Sequence, residues 1–146
     1  MKKIVSIFAL LLLLSTTKAQ TAEDSVKAVV SNLFKAMKNS DAVALQACFA
    51  DSAILQTITS SGVIRNESLN RFVTQIASLP KDAADERITF DMVKADNGLA
   101  TVWTPYQFYY KGAFSHCGVN SFQLVRLQGA WKIQYLIDTR RKTNCL

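Results

Sequence analysis

Histidine occurs once in the 146 residues, at position 116, and cysteine three times, at 48, 117 and 145. A zinc site draws on three or four His, Cys or carboxylate ligands at close spacing, and His116 beside Cys117 offers too few. No metal or cofactor is therefore expected. Charge is sparse as well: the formal net charge of +6 includes Lys2, Lys3 and Lys18, and without the first 20 residues 14 basic groups face 11 acidic ones. So mild an excess excludes nucleic acid as the expected partner, and the one charge run, Arg140, Arg141 and Lys142, reads as a solvated tail. Long apolar runs are also missing. The longest, Ile4 to Leu14, makes a helix of roughly 16 Å, about half the hydrocarbon core of a bilayer, so no membrane span is expected after processing.

What that run does fit is a secretory signal. Lys2 and Lys3 precede it, and Thr17 and Ala19 supply the small residues before a cleavage site near Gln20. Residues 1–20 are therefore expected to be a signal peptide and residues 21–146 a single domain, exported to the periplasm or the exterior. Disulfides persist there. Cys48 falls in the apolar register of a helix and is expected as a buried thiol, leaving Cys117 and Cys145 as the candidate pair.

Along the remaining chain the apolar period changes once. Val26, Val29, Val30, Leu33, Phe34 and Met37 recur at three and four, which predicts a helix over 22–38. A second short helix carries Val43, Leu45, Cys48 and Phe49, and a third starts near Asn66 or Glu67 and is closed by Pro80. An extended segment over 53–60 and a turn at Ser61-Gly62 separate these two. Beyond Asp85 the period is two. Ile88, Phe90 and Met92 predict one strand, and Asn97-Gly98 predicts a type I′ hairpin with positive φ at both central residues. Strands over 99–110, 114–127 and 131–139 follow, joined by turns at Lys111-Gly112 and Gln128-Gly129. Helices first and a meander second indicate an α+β domain.

This order resembles the nuclear transport factor 2-like superfamily, which includes SnoaL-like cyclases and ketosteroid isomerases. The residues carrying the likeness are Phe34, Met37, Asp41, Leu45, Phe49 and Asp51, then Ser115 to Phe122 and Gly129 to Ile133. The second group is similar to the exported bacterial branch labelled "putative lumazine-binding". The resemblance implies three N-terminal helices on a strongly curved antiparallel sheet, a cone-shaped fold with a small-molecule pocket. Ketosteroid isomerases place a tyrosine and a carboxylate where this chain has Leu33 and Thr57, so isomerase chemistry of that kind is not expected.

If each turn is a two-residue loop, register follows directly. Tyr135 then opposes Phe122, Ile137 opposes Asn120, Trp103 opposes Asn120, Gln107 opposes His116 and Met92 opposes Trp103. The inward face so built holds Trp103, Gln107, His116, Asn120, Phe122 and Tyr135 as expected ligand contacts, with His116 also a candidate acid or base. Pro105, inside a strand, signals a bulge or an edge. The outer face takes Tyr106, Phe108 and Tyr110, an expected homodimer contact, and also Asp91 and Asp138, which leaves His116 without a carboxylate partner. The leading expectation is an exported protein binding an aromatic or heterocyclic molecule. The alternatives are a cyclase, hydratase or dehydratase using His116, and an interaction module using the outer face.

Overall fold

The computed structural model describes residues 21–145. The expected signal peptide lies outside them, and among the described residues no helix is long and apolar enough to cross a membrane. Helix α1, Ala22–Asn39, starts at Thr21, whose hydroxyl accepts from the Asp24 amide while the Asp24 carboxylate accepts from the Thr21 amide. That reciprocal cap satisfies two backbone donors the helix leaves open. The short helix α2, Ala42–Ala47, has a single cap bond, the Asp41 carboxylate accepting from the Ala44 amide at 2.9 Å. It ends earlier than the periodicity suggests, because Phe49 and Ala50 already belong to strand β1, Phe49–Ile58. Val43, expected in its apolar stripe, is exposed.

Strand β2, Ile64–Glu67, takes the residues expected to open the third helix; helix α3 instead runs Leu69–Ala77 from an N-cap at Ser68. The single strand expected after Asp85 is two, β3 (Ala84–Ile88) and β4 (Met92–Asp96), both paired antiparallel with β5, Leu99–Tyr110. Between them the chain breaks the ladder opposite Pro105, whose carbonyl accepts from the Thr89 amide. The proline thus sits where its missing N–H interrupts no ladder, and pairing runs regularly through Pro105 and Val119. Strands β6, Ala113–Leu127, and β7, Ala130–Thr139, complete the meander. Lys111-Gly112 and Gln128-Gly129 take positive φ at both positions, whereas at Asn97-Gly98 only Asn97 does.

The sheet order is β2-β1-β7-β6-β5-β3, with β4 on the same edge of β5 as β3. β1 runs parallel to β7, a crossover absent from a pure meander. The result is an α+β fold in which a curled, unclosed sheet is covered by the helices. Its core joins α1 to the sheet: Val26, Val30 and Leu33 are buried against Val102, Phe122, Leu124 and Ile133. Phe34 and Phe122 meet edge to face at 6.2 Å. Each such side chain, fully buried, contributes about 2–3 kcal/mol.

Two bulges set the faces of the β5–β6–β7 meander. Between Phe108 and Tyr109 the register slips by one, so Phe108 pairs with His116, Tyr106 with Gly118 and Thr104 with Asn120. Between Ile133 and Tyr135 β7 carries one extra residue, so Leu136 pairs with Phe122 and Asp138 with Asn120. A one-residue slip turns every later side chain to the opposite face.

Candidate functional site

The slips correct the expected faces. Trp103 still pairs with Met92, but both are outside, each 40% exposed. Gln107 pairs with Cys117 rather than His116, and Tyr135 pairs with Gln123 and donates through its hydroxyl to Gln56 Oε1 at 2.7 Å. Phe122 does face inward, but as fully buried core. Of the three aromatic residues expected outside, Tyr106 is buried and Phe108 turns inward with it; only Tyr110 is exposed. His116 and Asn120 are the two expected contacts that the fold brings to one cavity.

That cavity, about 300 Å³, lies between the helices and the sheet. Its apolar wall comes from Leu33, Phe34 and Met37 of α1, Phe72 and Ile76 of α3, and Leu136 of β7. The N-terminal part of the α1 stripe, Val26 and Val30, packs into the core and its C-terminal part, Leu33, Phe34 and Met37, lines the cavity, so one amphipathic helix serves both. Leu33 and Thr57, the positions read against isomerase chemistry, both line it.

The polar floor is a cluster that the expected faces did not contain. Glu86 enters from β3 and accepts from Asn120 Nδ2 at 2.8 Å. Asp138, turned inward by the β7 bulge, accepts from Thr57 Oγ1 at 2.5 Å, from Arg140 Nε at 3.0 Å and from the Tyr106 hydroxyl at 3.2 Å. The Tyr106 hydroxyl is shared with the Thr139 carbonyl at 2.9 Å. His116 stands beside these groups, its Nδ1 3.0 Å from Ser115 Oγ and its ring against Phe108 and Tyr106.

Electrostatics separate the roles. Burial pushes the Glu86 carboxyl up to about 7, with the Asp138 charge adding to the rise and the Asn120 hydrogen bond opposing it. Burial holds the His116 imidazole below its ordinary value, and Arg140 and Lys142 lower it further. Burial likewise raises Tyr106 well above the ordinary phenol range, helped by Asp138 and Glu86. Partial burial works against the Arg140 charge, yet Asp138 beside it keeps its pKa raised. Near neutrality the floor therefore holds a neutral imidazole, a phenol and a carboxyl half-way through its titration. Such a set can orient a ligand and exchange one proton with it.

The expected faces put Asp138 outside and assign Glu86 no role. The second was legible: Ala84, Glu86 and Ile88 share a parity, so a strand turning Ile88 inward turns Glu86 inward too. The bulge that moves Asp138 has no comparable signal, since Gln134 is an ordinary strand residue.

The cavity opens to an outer depression of about 850 Å³, and Thr57, Glu67, His116 and Arg140 line both. Here the basic run finds its place. Arg141 exchanges backbone hydrogen bonds with Cys117 at 2.9 Å in each direction, and a disulfide joins Cys117 to Cys145. Arg140, Arg141 and Lys142 are thus strapped to the rim rather than loose in solvent. Cys48 is free and buried, and burial raises its thiol pKa. Among the described residues no cluster of His, Cys, Asp and Glu could hold a metal ion.

A family profile described as "Putative lumazine-binding" matches residues 21–134. No curated protein sequence matches the chain. Among solved structures, an NTF2-like protein of unknown function from Shewanella baltica OS155 superposes with a TM-score of 0.65 at 11% identity, covering 82% of this chain and 93% of that one. An NTF2-like protein of unknown function from Silicibacter pomeroyi DSS-3 gives 0.65 at 17% identity, over 80% and 93%. A protein of unknown function with a cystatin-like fold from Nostoc punctiforme PCC 73102 gives 0.66 at 12% identity, over 84% and 95%. At these identities the likeness is one of fold.

Proposed function

The chain belongs to the "Putative lumazine-binding" family within the nuclear transport factor 2-like superfamily, and on that premise we propose that it is an exported protein that binds a one- or two-ring aromatic or heterocyclic molecule. The observation that carries the reading is the cavity itself, apolar on its helical wall and polar on its sheet floor. Its volume equals roughly ten waters at liquid density, at the small end of ligand pockets. Flat rings suit it because Phe34, Phe72 and Phe108 offer apolar faces while the Glu86 carboxyl offers an acceptor and, when protonated, a donor to ring heteroatoms. Export rests on the leader-like residues 1–20.

In NMR titrations with a library of one- and two-ring heterocycles, hits are expected to shift the amides of Phe34, Phe72, His116 and Asn120. Leu136→Trp, which fills the cavity from β7, is expected to weaken those hits at least about tenfold. A library with no hits, or shifts confined to the outer face around Trp103, would end the reading.

One observation favours turnover as a second reading: the Glu86 carboxyl lines the cavity, and burial there raises its pKa to about 7. A cyclase, hydratase or dehydratase needs such a group, since a carboxyl near neutrality both gives and takes a proton. Glu86, not His116 alone, is then the expected acid and base. Any substrate found is expected to turn over with a rate that titrates near pH 7 and falls about 100-fold or more in Glu86→Gln; a variant with full turnover would leave binding as the whole activity.

A further inference from the structure

We infer that the ligand is an oxyanion on an apolar body, its rings inside the cavity and its carboxylate or phosphate held at the cationic rim. This deepens the binding reading above and rests on it. The rim brings Arg65 from β2, Arg71 from α3 and Arg140, Arg141 and Lys142 from the strapped tail to one depression. Two of the five are matched by carboxylates. Glu67 holds Arg71 through two contacts, at 2.5 and 3.0 Å, and Asp138 holds Arg140 at 3.0 Å. Arg65, Arg141 and Lys142 form no ion pair with a carboxylate among the described residues.

Three separate elements thus converge on the depression that shares Thr57, Glu67, His116 and Arg140 with the cavity and leave a surplus of positive charge there. Holding like charges together costs self-repulsion, which an anion at the mouth relieves. The placement is built rather than incidental, because the Cys117–Cys145 bond and the Cys117–Arg141 backbone pair fix the tail against β6. At the boundary between the two spaces burial lowers the pKa of His116, and Arg140 and Lys142 of the rim add to that lowering against the opposing Asp138 charge. Deeper in, Glu86 and Asp138 repel a second negative charge, so the anionic end stays at the rim and the neutral rings go inward.

The test uses three probes on one ring system: 2-naphthoate, 2-naphthyl phosphate and the neutral 2-naphthamide, titrated calorimetrically into the full-length mature chain. At low salt at least one oxyanion is expected to bind about tenfold tighter than the amide, the equivalent of two exposed charge contacts. That advantage is expected to shrink to within about threefold at roughly 1 M salt, where screening reaches only about 3 Å. The double variant Arg65→Gln with Lys142→Gln, checked for an unchanged melting temperature, is expected to show the same loss at low salt. An amide that binds as tightly as both oxyanions overturns the inference and leaves the cavity reading standing. An advantage that persists in high salt or in the variant also overturns it. Failure of all three probes to bind takes the cavity reading down with it.

Discussion

Replacing Gly118 by alanine is expected to cost about 3 kcal/mol or more and to lower the melting temperature by roughly 10–15 °C. A Cβ built at Gly118 falls 1.8 Å from the Thr139 carbonyl oxygen, 2.8 Å from its carbon and 2.8 Å from Tyr106 Cε1. Neither neighbour gives way cheaply. Thr139 is backbone at the end of β7, and the buried Tyr106 ring is tied by its hydroxyl to Thr139 and Asp138. The glycine is needed for space and not for its φ, which lies outside the left-handed region. Gly98→Ala is the matched control. No atom lies within 4 Å of its Cβ and its φ is not positive, so its cost is expected within about 1 kcal/mol. Urea unfolding of both variants checks the contrast; a Gly118→Ala protein as stable as the parent would mean that β6 and β7 lie farther apart than described. Because Tyr106 lines the cavity and is held there by its bond to the Thr139 carbonyl, any surviving Gly118→Ala protein is also expected to lose ligand binding.

Glu86 is expected to make stability fall by roughly 3 kcal/mol as the pH rises from 4.5 to 7. Its carboxyl has an ordinary value of 4.5 and is raised to about 7 in the fold, chiefly by burial. Below 4.5 both folded and unfolded chains hold the proton, and the group contributes no slope. Between the two values the unfolded chain has released the proton while the folded chain keeps it, so each step upward in pH favours unfolding. Above 7 both are ionised and the loss is complete. His116 acts with opposite sign in part of the same window: its depressed pKa means the unfolded imidazole takes up a proton first as pH falls, removing stability in acid. The two are separated by comparing the parent with Glu86→Gln, which keeps an oxygen for Asn120 and removes the titration. The parent-minus-variant curve of urea stability is expected to descend through that window. A flat difference curve would mean that Glu86 is solvated and ionised like a surface carboxylate, and the proton-exchange reading would go with it.

Most elements of the fold were legible because they depend on local rules. The three-and-four spacing from Val26 to Met37, the glycines at 112 and 129 and the alternation of β5 to β7 each state their own structure. The crossover of β1 onto β7 was not legible, since a short apolar strand carries no mark of its partner. The site was legible only in part, and for a single physical reason. Facing depends on parity, parity depends on counting every residue across a hairpin, and two unannounced bulges spoil the count. His116 and Asn120 survived because they lie on one strand at a spacing of four; Trp103, Gln107 and Tyr135 were lost because each is reached across a bulge. The rim was missed for another reason. A basic tail looks solvated unless its backbone is seen tied to a buried cysteine.

The extra residue at Gln134 in β7 bears on how roles pass between relatives. With that residue bulged out, Leu136 and Asp138 line the cavity; were Gln134 instead paired with Gln123 in a regular ladder, Tyr135 and Ile137 would take the same stations, and an acidic floor would become an aromatic and aliphatic one. A relative of the same strand length that pairs this strand without the bulge therefore turns the neighbouring residues to the ligand, with no substitution at any lining position. Among relatives as distant as 11–17% identity, alignment columns at the end of this strand do not by themselves say which side chains meet the ligand. The length of β7 between its two anchors, Ile133 on Leu124 and Leu136 on Phe122, is the character to compare.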